Sequence, residues 1–245
     1  MGRAIALGAL LATALPALAE VPDSEAFVAA NVIATVYHEV GHALLALRDD
    51  PAMGRVEEDA ADALSVVLID RFHDGDAALD MMRHVATSYA LYDAQGPDQL
   101  WIYGDAHSRD AERYHNLVCL FYGADPLARA RLADELGLPP ERRAGCPEAF
   151  RAAAADWDRW LESMPPQDHG PGLRLVVPPG GDALTATVAG ALRRLNGEYG
   201  LPLPVDVTVE PCGEANAFYD PRARRIVICT EYAAELARLY AAGAK

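Results

Sequence analysis

One long apolar helical run carries two histidines four positions apart, and this run constrains the fold more than any other feature of the chain. The sequence H-E-V-G-H occupies residues 38–42, between the apolar segments 32–37 and 43–47. A helix that is apolar on nearly every side is expected to be buried. Positions i and i+4 of a helix share a face, so His38 and His42 can reach one metal ion.

Glu39 lies directly beside the two histidines. Buried neutral imidazoles and a buried carboxylate need polar partners, and a cation is the natural one. The alternative is a surface helix with two solvated histidines, which the apolar flanks of the motif argue against. In metal-dependent hydrolases with this spacing, the glutamate takes a proton from the attacking water. The sequence therefore predicts a zinc site, with Glu39 as the general base.

The third metal ligand is expected in the acidic segment 57–62, E-E-D-A-A-D, which opens a second apolar helix. Glu58 and Asp62 are four residues apart and share a face. We expect Glu58 to bind the metal and Asp62 to accept the outward N–H of a ligating histidine. Glu57 and Asp62 are the alternative third ligands. Attraction of acids to a helix N-terminus explains Glu57 and Asp59 without a metal, but not Asp62.

The N-terminus has the pattern of a secretory signal peptide. Arg3 precedes an apolar stretch, residues 4–15, and Ala17-Leu18-Ala19 is a cleavage site of small residues. We expect cleavage after Ala19 and a periplasmic or secreted protein without a membrane span; an uncleaved anchor is the alternative. Loss of Arg3 changes the formal net charge from −15 to −16. Nucleic acids and anionic membranes are therefore poor partners.

The four cysteines follow the expected leader, and an even number in an oxidising compartment predicts two disulfides. Three pairings are open. We favour Cys119 with Cys146 and Cys212 with Cys229, because each pair joins neighbouring elements within one half of the chain. No C-x-x-C spacing occurs, which argues against a cysteine-ligated zinc site. Four buried free thiols are the alternative.

The chain divides by pattern into a helical region, residues 20–165, a linker, 166–172, and a mixed region, 173–245. The expected fold class is α+β, mostly α, with a β-hairpin in the C-terminal part. The periodicity of apolar residues and the turn signals predict these elements: helices at 25–48 (capped by Ser24), 56–72, 77–92, 110–122, 126–136, 147–161, 183–199 and 231–240; strands at 173–177, 205–209 and around 218–219 and 226–228.

H-E-V-G-H followed closely by E-E-D-A-A-D resembles the gluzincin branch of zinc metallopeptidases, with its Glu-x-x-x-Asp element. More specifically, the chain is similar to an exported bacterial family assigned as metallopeptidases without a known function. Further matching stretches are 107–110, 113–116, 119–123 and 212–219. The resemblance implies a zincin-like site with His38, His42 and Glu58 on zinc, Glu39 as general base, and a peptide or protein as substrate.

The chain departs from gluzincins in one respect. In that group a strand that pairs with the substrate precedes the H-E-x-x-H helix, whereas here only residues 20–23 separate the leader from it. The hairpin at Asn216-Ala217-Phe218-Tyr219 could fill this role from the C-terminal side, with Asn216, Ala217 and Tyr219 as substrate-binding residues. The alternative is a plain disulfide-stapled hairpin with Asn216 in a turn.

Amide hydrolysis also needs a donor for the oxyanion. His107, with Asp110 nearby, is the first catalytic candidate, and Tyr219, Tyr114 and Arg113 follow. Alternatively His107 is an exposed residue at a helix entry, and Arg113 is a structural ion-pair partner. His73 and His84 are single histidines expected at helix ends or on the surface. Two functions stay open: an exported zinc metallopeptidase, or a non-catalytic zinc-containing envelope protein that binds peptide or protein.

Overall fold

The computed structural model describes residues 23–48, 55–95, 110–166, 172–176 and 181–243. These residues form a mostly helical α+β fold with one small sheet, as predicted. The helices are α1 (Asp23–Leu47), α2 (Arg55–Phe72), α3 (Gly75–Ala94), α4 (Asp110–Ala124), α5 (Ala130–Glu135), α6 (Pro140–Arg143), α7 (Cys146–Leu161), α8 (Ala183–Glu198) and α9 (Thr230–Gly243), and the strands are β1 (Leu173–Val176), β2 (Val205–Glu210), β3 (Ala217–Asp220) and β4 (Arg225–Cys229).

Helix α1 lies at the centre of the fold. It packs against α2, α3, α8, α9 and the strands β3 and β4, which is why its sequence is apolar on nearly all sides. Phe27 and Tyr37, on this helix, are among the largest fully buried side chains. The predicted cap at Ser24 is wrong, because α1 begins at Asp23 and Ser24 lies inside its first turn.

Helices α1 and α2 approach each other very closely. A Cβ atom placed on Gly41 would lie 2.9 Å from the Cα of Ala61, so only a glycine fits at this point. This contact lies within the H-E-V-G-H motif on one side and the acidic segment on the other. The histidine face of α1 is therefore held directly against the start of α2.

Helix α4 covers the other flank of α2 and is fixed to α7. A disulfide joins Cys119 to Cys146, as predicted. One turn after Cys119, a Cβ on Gly123 would collide with the carbonyl of Cys146, so glycine permits the close approach of the two helices. This packing positions Arg113, in the first turns of α4, near α2.

The sheet has the order β1-β2-β4-β3. Strands β1, β2 and β4 are parallel neighbours, and β3 pairs antiparallel with β4 at the edge, with Phe218 opposite Val227. The predicted hairpin is confirmed. The second disulfide, Cys212–Cys229, fastens the segment that leads into β3 to the end of β4, also as predicted.

Two short elements differ from the sequence prediction. The helix expected from residue 126 begins only at Ala130, because Asp125 accepts a hydrogen bond from the backbone N–H of Ala128 and holds a turn instead. The four-residue helix α6 was not predicted. The remaining predicted elements are present with small changes at their ends.

The helical and mixed regions share one hydrophobic core. Leu44 on α1, Leu68 on α2, Val188 on α8 and Ile226 on β4 all belong to the same cluster of buried side chains. None of the described helices combines the length and apolarity that a bilayer crossing requires. The expected leader and most of the expected linker, residues 167–171, lie outside the described residues.

Candidate metal centre

Three donor groups from α1 and α2 converge, and they are the three that the sequence pattern singled out. Nε2 of His38 and Nε2 of His42 lie 3.0 Å apart. The Glu58 carboxylate is 3.3 Å from the first of these nitrogens and 3.4 Å from the second. The His38 and Glu58 residues are buried, and the His42 side chain is 12% exposed. Within the described chain this is the group suited to hold a metal ion.

The spacing of these donors fits a small metal ion. Ligand bonds of about 2.0–2.1 Å in tetrahedral geometry separate the donor atoms by roughly 3.3 Å. The three observed separations, 3.0, 3.3 and 3.4 Å, lie close to that value. The two distances to Glu58 go to different oxygens, Oε2 for His38 and Oε1 for His42. Two imidazole nitrogens and the Glu58 carboxylate therefore suit a metal ion between them.

A carboxylate fixes the ring of His38. Nδ1 of His38 donates to Oδ1 of Asp62 at 2.9 Å, as expected for Asp62. Arg113 donates to both oxygens of that carboxylate, from Nε at 2.8 Å and from Nη2 at 2.7 Å. Burial alone would raise the pKa of Asp62, but the charge and hydrogen bonds of Arg113 hold it well below its usual range. Asp62 is thus an anion that keeps the Nε2 lone pair of His38 facing Glu58.

A second carboxylate does the same for His42. Nδ1 of His42 donates to Oε1 of Glu57 at 2.8 Å. The sequence had suggested Glu57 as a substitute third ligand, whereas in the structure it contacts the far side of the ring. Both imidazoles are therefore oriented by an acid from α2, and both Nε2 atoms point to the same place.

The arrangement of the two rings and the Glu58 carboxylate is stabilised by a positive charge between the histidines. With both Nδ1 atoms donating, the two Nε2 atoms present lone pairs to each other and to the Glu58 carboxylate. In the absence of a metal, a proton supplies this charge. Burial lowers the pKa of His38, but the hydrogen bonds to Asp62 and Glu58 and the charges of Asp62 and Glu39 raise it to about 10. A metal ion would satisfy all three donors at once.

The donors lie on the wall of a cavity of about 420 Å³. Helix α1 contributes a stripe from Asn31 to Ala46 that includes Glu39, which is only 5% exposed. Helices α2, α3 and α4 form further wall, and β3 and α9 contribute the rest. The cavity is large enough for several residues of a peptide or for a small molecule.

The hairpin reaches this cavity. Asn216, Ala217 and Tyr219 all line it. The backbone N–H of Cys229 donates to the carbonyl of Asn216 at 3.0 Å, so by antiparallel alternation Ala217 and Tyr219 direct their backbone groups away from β4. Asn216 Oδ1 accepts from the N–H of Ala217 at 2.8 Å. Among the described residues, no strand pairs with the outer side of β3, so the carbonyl of Ala217 and both backbone groups of Tyr219 form a free edge there.

Other sequence candidates lie elsewhere. The Tyr114 hydroxyl donates to the carbonyl of Leu136 at 2.6 Å, and Tyr114 is not part of the cavity wall. His73 contacts the Tyr37 hydroxyl, and His84 packs edge-on against Phe27, both away from the metal donors. His107 lies outside the described residues, so its role stays a prediction.

Tyr232 is a cavity residue that sequence reasoning missed. Its hydroxyl lies 2.9 Å from the Thr35 hydroxyl on α1, and both residues line the cavity. Burial raises the pKa of Tyr232 above its usual value, so the phenol is neutral and able to donate. No local signal marks this tyrosine, which belongs to an ordinary amphipathic helix; only the packing of α9 on α1 brings it here.

Comparison with known proteins assigns the chain to a family. A family model described as "Putative metallopeptidase" matches residues 13–161 and 185–245. The chain belongs to this family. Among curated proteins and among solved structures, nothing matches.

Proposed function

We propose that this member of the metallopeptidase family is an exported zinc-dependent peptidase that hydrolyses peptide bonds. The observation that carries the proposal is the convergence of His38, His42 and Glu58 on the wall of a cavity that Glu39 also lines. A buried site of donors without a neighbouring base would suit a structural metal. Here a carboxylate outside the donor set lies in the same cavity.

The chain's own residues would hold and orient the ion. His38 and His42 bind through Nε2, Glu58 binds through its carboxylate, and Asp62 and Glu57 keep the two rings in place. Two histidines and one glutamate are a known donor set of catalytic zinc sites, which keep a further position open. Zinc, when bound, supplies a Lewis acid that polarises the scissile carbonyl and lowers the pKa of water.

Glu39 is assigned the proton transfers. It follows His38 on α1 and lies on the cavity wall. Its carboxylate takes the proton of the attacking water and delivers it to the leaving amine, so that the amine departs as a neutral group. Tyr219 and Tyr232 offer hydroxyl donors for the oxyanion from β3 and α9, and His107 remains a further candidate for this role.

The substrate is proposed to lie along β3. The free-edge groups of Ala217 and Tyr219 can pair with an extended peptide by strand addition. The Cys212–Cys229 disulfide fastens the base of this hairpin. A bound peptide would then cross the metal donors on α1, since both elements line one cavity.

Export is supported by two features. The leader pattern in residues 1–19 predicts secretion, and two disulfides are typical of an oxidising compartment. The proposed substrates are therefore peptides or proteins of the cell envelope or the surroundings.

The test compares peptide cleavage by wild type and by Glu39→Gln, each with its zinc content verified. Glu39→Gln should keep the metal and the fold and lose about 10²–10⁴-fold in rate, because one general base contributes roughly that much. Glu25→Gln, an exposed glutamate on the same helix, is the matched control and should cleave at the wild-type rate. Absence of cleavage by zinc-loaded wild type, or equal rates for Glu39→Gln, would favour a non-catalytic peptide-binding protein.

A further inference from the structure

The cavity extends beyond the metal donors along α1 and α2. Asn31 precedes His38 by seven residues on α1, and Ser65 follows Glu58 by seven on α2, and both line the cavity. Seven residues make two helical turns, or about 10 Å along the axis. The part of the cavity lined by Asn31, Ser65 and Ser88 is referred to as the inner pocket. Asn31 lies at its far end, two turns from His38, and the Ser65 hydroxyl lies nearer, at the Ala34 carbonyl one turn from His38.

Every hydrogen-bond donor of these three side chains is directed at a backbone carbonyl. Asn31 Nδ2 donates to the carbonyls of Phe27 at 2.9 Å and His84 at 3.4 Å. Ser65 donates to Ala34 at 3.1 Å, and Ser88 donates to Val85 at 2.8 Å. An amide that has used its NH₂ group retains its carbonyl oxygen, and a hydroxyl that has used its proton retains only lone pairs. The inner pocket thus presents acceptors.

These acceptors are deeply buried. Asn31, Ser65 and Ser88 are 3%, 5% and 4% exposed. Within the described residues, no hydrogen bond reaches Asn31 Oδ1 or either serine oxygen from a donor. The Asn31 oxygen is costly to leave unpaired once water is excluded, and the serine oxygens can each accept a further bond, so a side chain that brings donors into the pocket is favoured.

The charge of the cavity wall favours a positively charged donor on the side chain that fills the inner pocket. Its wall carries four carboxylates and one arginine, Arg113, whose Nε and Nη2 both bind Asp62. Even with a bound dication, the wall keeps a net negative charge. Ala34, Val85 and Leu117 add apolar surface to the same cavity wall. A long apolar stem that ends in a cation matches this combination of apolar surface, acceptors and negative charge.

We propose that the inner pocket is a specificity pocket for a basic side chain, lysine or arginine, next to the scissile bond. The inference rests on the proposed function, because it names the substrate class of the same cavity. The stem packs on Ala34, Val85 and Leu117, and the charged end donates to Asn31 and to the two serines. Lysine brings three donors and arginine five, whereas norleucine has the length of lysine and no donor.

The experiment measures binding separately from turnover. Zinc-loaded Glu39→Gln protein is titrated with blocked peptides that are identical except for one central residue: lysine, arginine, norleucine, glutamine or glutamate. The cavity wall of this variant has one carboxylate fewer than wild type, so the buried acceptors, and not an excess of negative charge, decide the preference that is measured. Lysine and arginine peptides should bind about 10-fold or more tightly than the norleucine peptide, as hydrogen bonds to a charged group imply. The glutamate peptide should bind weakest. Cleavage by wild type should then occur beside the basic residue.

Substitutions then test whether the residues of the inner pocket cause the preference for basic peptides. Asn31→Leu, added to Glu39→Gln, should reduce the lysine-over-norleucine ratio to about threefold or less without weakening the norleucine peptide. Asn116→Leu is the control, because Asn116 accepts from Arg142 on the surface of α4 and does not line the cavity. It should keep the full ratio. Ser88→Ala, which removes one hydroxyl bonded within its own helix, provides a second variant if Asn31→Leu does not fold, and should lower the ratio about threefold.

The outcomes separate the two proposals. Equal binding of the lysine and norleucine peptides, or tightest binding of glutamine, would overturn the basic pocket and leave the peptidase assignment in place. An unchanged ratio in both Asn31→Leu and Ser88→Ala would do the same. Failure of every peptide to bind and to be cleaved would overturn both.

Discussion

Glu57 accepts a hydrogen bond from Nδ1 of His42, the ring nitrogen that faces away from Glu58, with Oε1 of the carboxylate 2.8 Å from this nitrogen. The acid thus orients the imidazole ring from the side opposite Glu58. Together with the contact between Asp62 and His38, it gives each histidine its own carboxylate from α2. Only Glu58, between these two acids in the sequence, faces the inner nitrogens. Of these three acids on α2, two therefore bond the outer nitrogens of the histidine rings, and one faces the inner nitrogens.

This division predicts the effect of removing Glu57. Glu57→Ala should weaken zinc binding about 10- to 100-fold while the stoichiometry stays at one ion, because loss of an orienting partner typically has that effect. Asp59→Ala, two residues along the same helix and exposed, is the control and should bind as wild type does. Competition with a chelator measures both affinities. Equal affinities for the two variants would contradict the orienting role.

Metal content tests the donor set itself. The purified mature protein should contain about one zinc per chain, and His42→Ala and Glu58→Ala should each lose stoichiometric metal, since three protein ligands are needed to retain it. Elemental analysis after exhaustive dialysis gives the answer. Full zinc content in either variant would remove that residue from the donor set.

Metal binding should also depend on pH. The pKa of His38 is raised to about 10 without a metal, so at pH 7 this ring carries a proton that a metal must displace. A group with a raised pKa gives up its proton only as the pH increases, so the affinity for zinc should rise with pH, by about tenfold per unit for each proton released. Calorimetry in two buffers of different ionisation enthalpy counts the protons. A dissociation constant that is the same at pH 6 and pH 8 would contradict this.

The pair formed by Arg113 and Asp62 should matter for stability. Both side chains are 10% exposed, so Arg113→Ala removes the arginine from a buried carboxylate, which among the described residues keeps only the His38 ring as a partner, and should cost about 3–5 kcal/mol of unfolding free energy. The control is Arg159→Ala, which removes an exposed pair with Asp156 on α7 and should cost less than about 0.5 kcal/mol. Urea unfolding compares the two. Similar losses for both variants would show that the buried pair is not specially required.

The disulfides can be tested directly. Unfolded, unreduced protein from a periplasm should contain no alkylatable thiol, and peptide mapping should recover Cys119 with Cys146 and Cys212 with Cys229. The double variant Cys212→Ser/Cys229→Ser should keep the metal and lose about 3 kcal/mol, since the crosslink closes a short loop. It should also bind peptides more weakly, because β3 is then held by its pairing with β4 and its packing on α1 without the covalent link. Unchanged peptide binding would argue that the staple does not support the binding edge.

The grouping of the candidate donors was largely predictable because they follow helical geometry. His38 and His42 share a face by their spacing, and so do Glu58 and Asp62. The sequence left open which of Glu57, Glu58 and Asp62 faces the two histidines from the inner side. The role of Glu57 could not be predicted in this way. Its position in the first turn of α2 has a sufficient local explanation, and its contact with His42 exists only because α1 and α2 are packed together.

The same distinction explains the other successes and failures. The hairpin and both disulfides join segments close in sequence, and local signals were sufficient for them. Tyr232 and Asn31 line the cavity through contacts between distant helices, which no local pattern encodes. The late start of α5 reflects competition between helix formation and the hydrogen bond of Asp125, a balance too fine for periodicity to predict.

The contact between Gly41 and Ala61 also limits how far the two helices can adjust. Because one backbone rests on the other, His38, His42 and Glu58 project from elements that cannot approach each other more closely. The donor atoms are therefore near one another before any ion binds, which reduces the reorganisation that binding requires. Preorganisation of the candidate centre thus depends on a glycine and an alanine, neither of which belongs to the donor set.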